Sequence, residues 1–226
     1  MKYFLLFFII CLGSNLYAQH ISKEIALAPH SDESGYAIIK SDTGYFIFSS
    51  YTCEPIPKSR RCRALSSLDL DGNLLWFRSI DPEGEGGDYY SNASMVMYKD
   101  HLFAVSVVRK ATNDAIRVHK INYQGDLLAY QDFIFTNDRR FDAESLFATE
   151  DKLLMIGVIR SSTNPYQAYI MELDTALNQT GLHYFGDPLL GKRWPIALTQ
   201  RTNGGYYFAV QERWKSGAVS NEVLIY

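Results

Sequence analysis

Short apolar stretches alternate with tight polar turns along most of this sequence. An apolar strand, a polar turn and a second apolar strand recur four times, in Tyr36–Ser49, Met95–Val108, Leu146–Ile159 and Ile196–Val210. The polar turn residues lie 58, 51 and 52 residues apart, at Asp42, Asp100, Asp151 and Asn203. A recurring period of this size indicates a repeated supersecondary unit.

Each pair of strands is followed by a third apolar strand and, in three repeats, by a second turn and a fourth strand. The predicted third strands are Ala64–Asp69, Ala115–Asn122, Ala168–Asp174 and Glu222–Tyr226. The predicted fourth strands are Leu74–Ile80, Leu127–Ile134 and Thr180–Phe185. Two of the second turns contain a glycine, Gly72 or Gly125, which permits the positive φ that closes a hairpin. The third has a looser version at Asn178.

Four antiparallel strands repeated about every 50 residues are typical of a propeller blade. No stretch between the strands has helical periodicity, which disfavours a parallel α/β sheet. A two-layer sandwich is the competing architecture, but it gives no reason for the same four-stranded unit to recur. The sequence therefore predicts an all-β protein, a β-propeller of four-stranded antiparallel blades with four blade units, the last lacking its fourth strand.

The strand count leaves two arrangements open. In the first, the segment His20–Leu27 supplies the missing strand and seals a closed ring of four blades. In the second, the chain is the first part of a longer propeller and ends inside its fourth blade. We favour the second, because Asn221–Tyr226 lies within a predicted strand and no polar tail follows it.

Residues 1–18 have the order of a secretory signal peptide, with Lys2 before the apolar run Phe4–Leu12 and small residues after it. That run is about half of the roughly 20 residues that span a bilayer. A lipoprotein signal with Cys11 as the lipidated residue is the alternative. We therefore expect an exported propeller domain at residues 19–226, secreted or on the cell surface, alternatively periplasmic, with no membrane span in the mature chain.

Charge and composition narrow the class of partner. The 22 Lys and Arg residues nearly balance the 25 Asp and Glu residues, giving a net charge of -3. Nucleic-acid binders need a basic face to neutralise phosphates, so we expect no nucleic-acid partner. The 16 Tyr and 13 Phe residues, spread along the chain, favour strands.

Cys53 and Cys62 are the two cysteines that remain after removal of the signal peptide. They bracket a short polar loop, and an oxidising compartment would let them pair. Two unpaired thiols are the alternative. A zinc site is disfavoured, because two cysteines without a nearby histidine supply half of a zinc shell.

Two phrases of the sequence resemble a known family. Residues Gly35–Ile47 read GYAIIKSDTGYFI and residues Leu68–Trp76 read LDLDGNLLW. They resemble the blades of secreted Bacteroidetes β-propeller proteins, which often end in a sorting domain of the type IX secretion system. The resemblance implies the propeller fold and export. The segment Asp174–Thr180 departs from this pattern, because it has no Gly-Asn turn.

The search for catalytic and metal-binding motifs is largely negative. The sequence has no Gly-x-Ser-x-Gly elbow, no phosphate loop and no His-Glu-x-x-His motif. Its five histidines fall singly at unrelated points of the repeat, at His20, His30, His101, His119 and His183. Asp69, Asp71 and Asn73 suggest a calcium loop, but Arg78 stands where a closing glutamate belongs. We therefore expect a turn with capping carboxylates there, and no catalytic set, metal or cofactor.

Blade topology places the longer connections on one face, where binding residues usually lie. These connections are Asp81–Asn92, Phe135–Asp142, Gly186–Trp194, Tyr51–Cys62 and Arg160–Tyr166. Amphipathic aromatic side chains suit sugar or protein contacts, and this face offers Tyr89, Tyr90, Phe141, Tyr166, Trp194 and Trp214. The leading hypothesis is a non-catalytic module that binds a protein or glycan there.

An exported hydrolase acting on glycans is the alternative hypothesis. Glycoside hydrolysis needs two carboxyl groups flanking the scissile bond, about 5 to 9.5 Å apart. The same face provides acidic residues from which such a pair could be drawn, namely Glu83, Glu85, Asp88, Asp142 and Glu144.

Overall fold

Strands make up the regular structure of a computed structural model of this chain, and no helix occurs within the residues that it describes. These residues are 34–53, 61–81, 88–89, 93–109, 114–134, 139–161, 167–185, 191–200, 205–214 and 219–225. The predicted signal peptide and the predicted sealing strand lie outside them. The strands are β1 (Ser34–Lys40), β2 (Tyr45–Thr52), β3 (Arg61–Leu68), β4 (Leu74–Ser79), β5 (Asp88–Tyr89), β6 (Ser94–Tyr98), β7 (His101–Arg109), β8 (Asp114–Ile121), β9 (Leu127–Ile134), β10 (Arg139–Ala148), β11 (Leu153–Ser161), β12 (Gln167–Leu173), β13 (Gln179–Phe185), β14 (Gly191–Gln200), β15 (Tyr206–Trp214) and β16 (Val219–Ile225).

The strands form four antiparallel sheets that follow the chain from one strand to the next. The first sheet has the order β1-β2-β3-β4 and the third has the order β10-β11-β12-β13. In the second sheet β7, β8 and β9 are neighbours in that order, and β5 and β6 both pair with β7. The described part of the fourth sheet is β14-β15-β16.

The inner strand is the first strand in the first, third and fourth sheets, and it is β6 in the second sheet. The inner strands β1 and β6, β6 and β10, and β10 and β14 contact one another in succession. The four sheets are therefore stacked side by side as blades, which confirms the prediction of a β-propeller with four blade units. A two-layer sandwich does not fit this succession.

Apolar side chains pack between consecutive blades, and we call these three interfaces the first, second and third seam. The first seam joins Phe46, Phe48 and Leu65 of the first blade to residues such as Leu102 and Ile121 of the second. The second seam is the largest cluster and includes Phe103, Val118, Leu153, Met155, Tyr169 and Leu177. The third seam includes Leu154, Ile156, Ile170, Leu198, Tyr206 and Phe208. Blades thus stabilise one another face to face.

The turns between the last two strands of the first three blades share one structure. An aspartate or asparagine opens each turn, and its Oδ1 accepts hydrogen bonds from the backbone N–H groups two and four residues later, at 2.7 to 3.0 Å. The residues are Asp69, Asn122 and Asp174. These side chains satisfy the turn backbone, as an Asx-turn does. The interpretation of Asp69 as a capping residue is therefore confirmed.

Positive φ angles occur at the fourth position of all three turns. Gly72 has a φ of 77° and Gly125 a φ of 85°, as their glycines predicted. Leu177 occupies the same position in the third blade with a φ of 70°. The segment Asp174–Thr180 departs from the pattern in sequence, yet its turn has the same backbone conformation, because Asp174 accepts the same hydrogen bonds without a glycine.

Several inner strands begin earlier than their apolar patterns predicted. Strand β10 begins at Arg139 and β14 at Gly191, and Asp88–Tyr89 forms β5 within a segment predicted to be a loop. Parts of the predicted long connections are therefore strands. The pattern missed them because polar side chains precede the apolar residues, while the backbone hydrogen bonds of a strand do not depend on apolar side chains.

The predicted disulfide between Cys53 and Cys62 is present, with the two Cα atoms 5.6 Å apart. It joins the end of β2 to the beginning of β3 at the end of the blade that carries the longer connections, which we call the long-loop end. The described segments contain no helix that is long and apolar enough to cross a membrane.

Candidate functional site at the long-loop end of the inner strands

Four of the six predicted binding aromatics lie on strands rather than in loops. Tyr89 is on β5, Phe141 on β10, Trp194 on β14 and Trp214 at the end of β15. The orientations of these four side chains lie outside what the structure describes, and so do the residues Tyr90 and Tyr166. Phe141 and Trp194 each lie on the inner strand of their blade, and Tyr89 lies on β5, which pairs with the same side of β7 as the inner strand β6 does.

A β-bulge interrupts three inner strands at the same place in the repeat. The bulges lie between Gly35 and Ala37 in β1, between Ala143 and Ser145 in β10, and between Pro195 and Ala197 in β14. A bulge leaves one residue unpaired and re-aims its side chain, and bulges are frequent beside active sites. The residues inserted at these bulges are Tyr36, Glu144 and Ile196.

A buried tyrosine, Tyr169, hydrogen-bonds to the backbone of β10 beside the bulge that contains Glu144. The hydroxyl of Tyr169 donates a hydrogen bond to the carbonyl oxygen of Asp142 at 3.3 Å. It reaches this oxygen across Gly157, where a Cβ atom would fall 2.0 Å from the Asp142 oxygen and 2.5 Å from the Tyr169 hydroxyl. Burial, followed by the charges of Asp142 and Glu144, raises the pKa of Tyr169 well above its ordinary value. This hydroxyl therefore stays protonated and remains a donor.

Tyr36, at the equivalent bulge of the first blade, lies beside cationic side chains. Its ring centroid is 4.4 Å from the guanidinium carbon of Arg63, and its hydroxyl accepts a hydrogen bond from Ser50 at 3.4 Å. Partial burial acts to raise the pKa of Tyr36, but the bond from Ser50 and the charges of Arg63 and Arg61 outweigh it and hold the pKa below its ordinary value. The phenol oxygen therefore lies in a positive potential.

Behind Tyr36, the first seam holds a polar cluster in its long-loop half. Arg117 forms two hydrogen bonds with the carboxylate of Asp132, at 2.7 and 2.8 Å, and its guanidinium carbon lies 4.3 Å from the ring centroid of Tyr130. His119 is fully buried beside this pair. Burial, then the charges of Arg117 and Arg63, lowers the pKa of His119 to about 3. The imidazole is neutral over the physiological range.

The arrangement offers acid–base groups on inner strands. Asp142 and Glu144 bring two carboxylates to β10, and Tyr36 brings a phenol to β1. Glu83 and Glu85 lie outside the described residues, and Asp88 is placed on β5 with no description of its side chain. Within the described ranges, no group of three or more His, Cys, Asp or Glu side chains is arranged to hold a metal ion.

Sequence reasoning missed Tyr36 and the cluster of the first seam. In the sequence, His119 is one of five isolated histidines, and the predicted site includes neither Arg63 nor Arg117. One signal was available, because each arginine lies inside a predicted third strand, or directly before it, where the neighbouring blades require apolar side chains. Charged residues at such places need a partner from the adjoining blade or strand.

Comparisons with known proteins extend the description of the fold. No family model matches this chain, and no curated protein matches it. Among solved structures, a neuraminidase-like protein of subtype N10 from A/little yellow-shouldered bat/Guatemala has a TM-score of 0.52 and 9% identity, covering 84% of this chain and 57% of its own. An endo-arabinase from Bacteroides thetaiotaomicron has a TM-score of 0.48 and 10% identity, covering 83% of this chain and 72% of its own.

A bifunctional GH43-CE protein of Bacteroides eggerthii has a TM-score of 0.49 and 9% identity, covering 86% of this chain and 24% of its own. This chain therefore spans about a quarter of that protein and somewhat over half of the neuraminidase-like protein. At such identities a likeness bears on the fold alone. The succession of blades and the likeness to the neuraminidase-like protein agree on one conclusion, that this chain has the β-propeller fold.

Proposed function

We propose that this protein binds glycans at the long-loop end of its inner strands and hydrolyses them there. The observation that carries the proposal is the convergence of two residue types on the inner strands. Two aromatic residues suited to sugar rings, Phe141 and Trp194, lie on the inner strands β10 and β14, and a third, Tyr89, lies on β5 beside the inner strand β6 of the second blade. The carboxylates Asp142 and Glu144 lie on one of these strands, in its long-loop half.

Hydrolysis would draw on these carboxylates. Glycosidases use one carboxyl group to protonate the leaving oxygen and a second to attack the sugar or to activate water. Glu144 is the stronger candidate for either role, because it lies at a β-bulge, where side chains are re-aimed, and the buried Tyr169 hydrogen-bonds to the backbone of that bulge. Asp142 precedes it by two residues and supplies the second carboxylate.

Binding without turnover is the second candidate function. The aromatic residues on the inner strands favour it equally, because contacts with sugar rings do not require an acid. The similar structures named above bear on the fold, so the choice between the two functions rests on experiment.

Glycan binding is tested first, with a glycan array followed by titration of the best ligand against the full chain. We expect Phe141→Ala and Tyr89→Ala each to weaken binding roughly tenfold or more, as truncation of a central aromatic contact does. Tyr184→Ala is the matched control, because Tyr184 is an exposed aromatic on the outer strand β13. Equal binding by all three variants and the unmodified chain would reject the site.

Hydrolysis is tested on the same ligand. We expect Glu144→Gln to lower turnover at least 100-fold, as loss of a general acid or base does, while glycan binding is retained. Glu150→Gln is the control, because Glu150 is an exposed acid in the turn after β10, at the opposite end of the blade. Binding with no turnover by the unmodified chain would favour the non-catalytic function.

A further inference from the structure

The first seam differs from the other two in what it buries. Beside its apolar cluster it contains Arg63, Arg117 and His119, each with at most 1% of its surface exposed. Among the residues whose burial the structure describes, these three are the only buried arginine, lysine or histidine side chains. A buried charge is stable only while its surroundings compensate it, so this seam depends on the ionisation state of its members.

His119 lies in the middle of this seam. It is on β8, paired with Ala104 of β7 on one side and with Tyr130 of β9 on the other. From the first blade, the ring of Phe48 approaches it with the ring centroids 6.4 Å apart. The charged and titratable groups near it are Arg63 on β3, Arg117 on β8, Asp132 and Tyr130 on β9, Tyr36 on β1 and Asp81 after β4.

Two carboxylates and two arginines lie near His119, so the charges of the cluster already balance. Asp132 holds Arg117 with two hydrogen bonds, and Asp81 accepts a hydrogen bond from the backbone N–H of Arg63 at 2.7 Å. Both guanidinium groups are permanently charged. A proton on His119 would add a third positive charge to a buried interface, and His119 becomes accessible to bulk solvent only if the two blades move apart.

We propose that the first seam is an acid-sensitive contact, in which uptake of a proton by His119 separates the first blade from the second. The contact is closed while the imidazole is neutral. Acid opens it by charging the imidazole between two arginines, and a return to neutral pH closes it again. This pH-dependent transition changes the packing of the first two blades, so it does not depend on the proposed glycan function.

The direction of the pH dependence follows from the two states of His119. In an open seam, His119 titrates near 6.5, the ordinary value for a histidine. In the closed seam its pKa is about 3. His119 therefore contributes its full stabilisation of the closed state above pH 6.5, and this contribution decreases as the pH falls from 6.5 towards 3. The ratio of closed to open molecules drops about 100-fold between pH 7.5 and pH 4.5.

Trp76 is a natural reporter of this seam. It lies on β4 of the first blade, and its ring covers Gly125 of the second blade so closely that a Cβ atom there would fall 2.6 Å from Cζ3. The other two tryptophans, Trp194 and Trp214, belong to the fourth blade. Replacing both with phenylalanine in the full chain leaves a fluorescence signal that comes from the first seam alone.

The test is a pH titration of Trp76 emission from pH 8 to pH 3, with far-UV circular dichroism recorded in parallel. We expect a reversible red shift below pH 6 while the strand signal is retained. His119→Gln should abolish the shift, because the amide does not titrate, whereas His183→Gln on the third blade should keep it. A shift that persists in His119→Gln overturns the proposal, and so does emission that stays constant until the strand signal is lost.

A second measurement keeps the proposal open to refutation if His119→Gln does not fold. Histidine side-chain NMR of the otherwise unmodified chain follows each imidazole through the same pH range. We expect His119 to take up its proton together with the change in Trp76 emission. Protonation of His119 with no change in Trp76 emission would overturn the proposal.

Discussion

Leu177 occupies the fourth position of its turn, where the first two blades have a glycine. Its φ is 70°, and its N–H donates to the carbonyl oxygen of Asp174 at 3.1 Å, as Gly72 and Gly125 do in their own turns. For residues with a Cβ atom this region costs about 1 to 2 kcal/mol. The side chain offsets that cost, because it is 2% exposed and packs in the second seam.

Two substitutions separate these opposing effects. Leu177→Ala removes most of the buried side chain and keeps the unfavourable φ, so we expect a loss of roughly 2 to 5 kcal/mol of unfolding free energy. Leu177→Gly removes one more carbon but relieves the backbone, so we expect it to be more stable than the alanine variant by about 1 kcal/mol. In an ordinary strand the order is reversed, because glycine costs roughly 0.5 to 1 kcal/mol relative to alanine.

Leu153 provides the control site, because it is fully buried in the same seam and lies within β11. Urea denaturation of the four variants gives the two differences between alanine and glycine directly. We expect glycine to be the more stable residue at 177 and alanine at 153. If alanine is the more stable residue at both sites by a similar margin, the backbone of Leu177 carries no cost and the reasoning fails.

Three further perturbations test other contacts. Gly125→Ala should lower the free energy of unfolding by roughly 2 to 4 kcal/mol, because the residue has a positive φ and the new Cβ atom meets the ring of Trp76. Thermal or urea unfolding measures this loss, and a value below about 1 kcal/mol would contradict the close contact. Asp132→Ala should lower the free energy of unfolding by roughly 3 to 5 kcal/mol, because it leaves Arg117 buried without this carboxylate. The double variant Asp132→Leu with Arg117→Met should lose much less stability, because neither charge remains. Equal losses in the two variants would argue against a buried ion pair. Reduction of the Cys53–Cys62 disulfide should lower the free energy of unfolding by roughly 2 to 3 kcal/mol, because it releases a loop of about ten residues in the unfolded chain. Free thiols that appear without a lower unfolding midpoint would refute this prediction.

Much of the fold could be predicted from local patterns. The strand β9 was predicted with its observed bounds, and Gly72 and Gly125 marked turns of the expected backbone conformation. These predictions succeeded because they depend on residues within one hairpin. The strands β5 and β10 were missed or shortened for the converse reason, since they begin with polar residues whose strand conformation is fixed by the neighbouring strand.

The candidate site was harder to predict because it depends on which residues meet across blades. A bulge at Tyr36 or Glu144 changes the face that a side chain occupies, and the alternation of apolar residues does not reveal it. Arg63 and Arg117 are 54 residues apart in sequence and belong to opposite faces of one seam. The turn at Leu177 has a weaker sequence signal than the other two, because the hydrogen bonds of Asp174, rather than a glycine, determine its conformation.

The order of the strands in each sheet has a consequence for how this chain is made. Nearly every strand pairs with its neighbour in sequence, so a complete blade, such as β1 to β4, needs only residues 34–79. Hairpins form in microseconds, whereas synthesis adds about 5 to 20 residues per second. Each blade therefore has time to form before the next has been synthesised, and every new blade meets a finished surface on which to pack. The apolar face that each blade presents to the next one is therefore exposed to aggregation only until that next blade has packed on it.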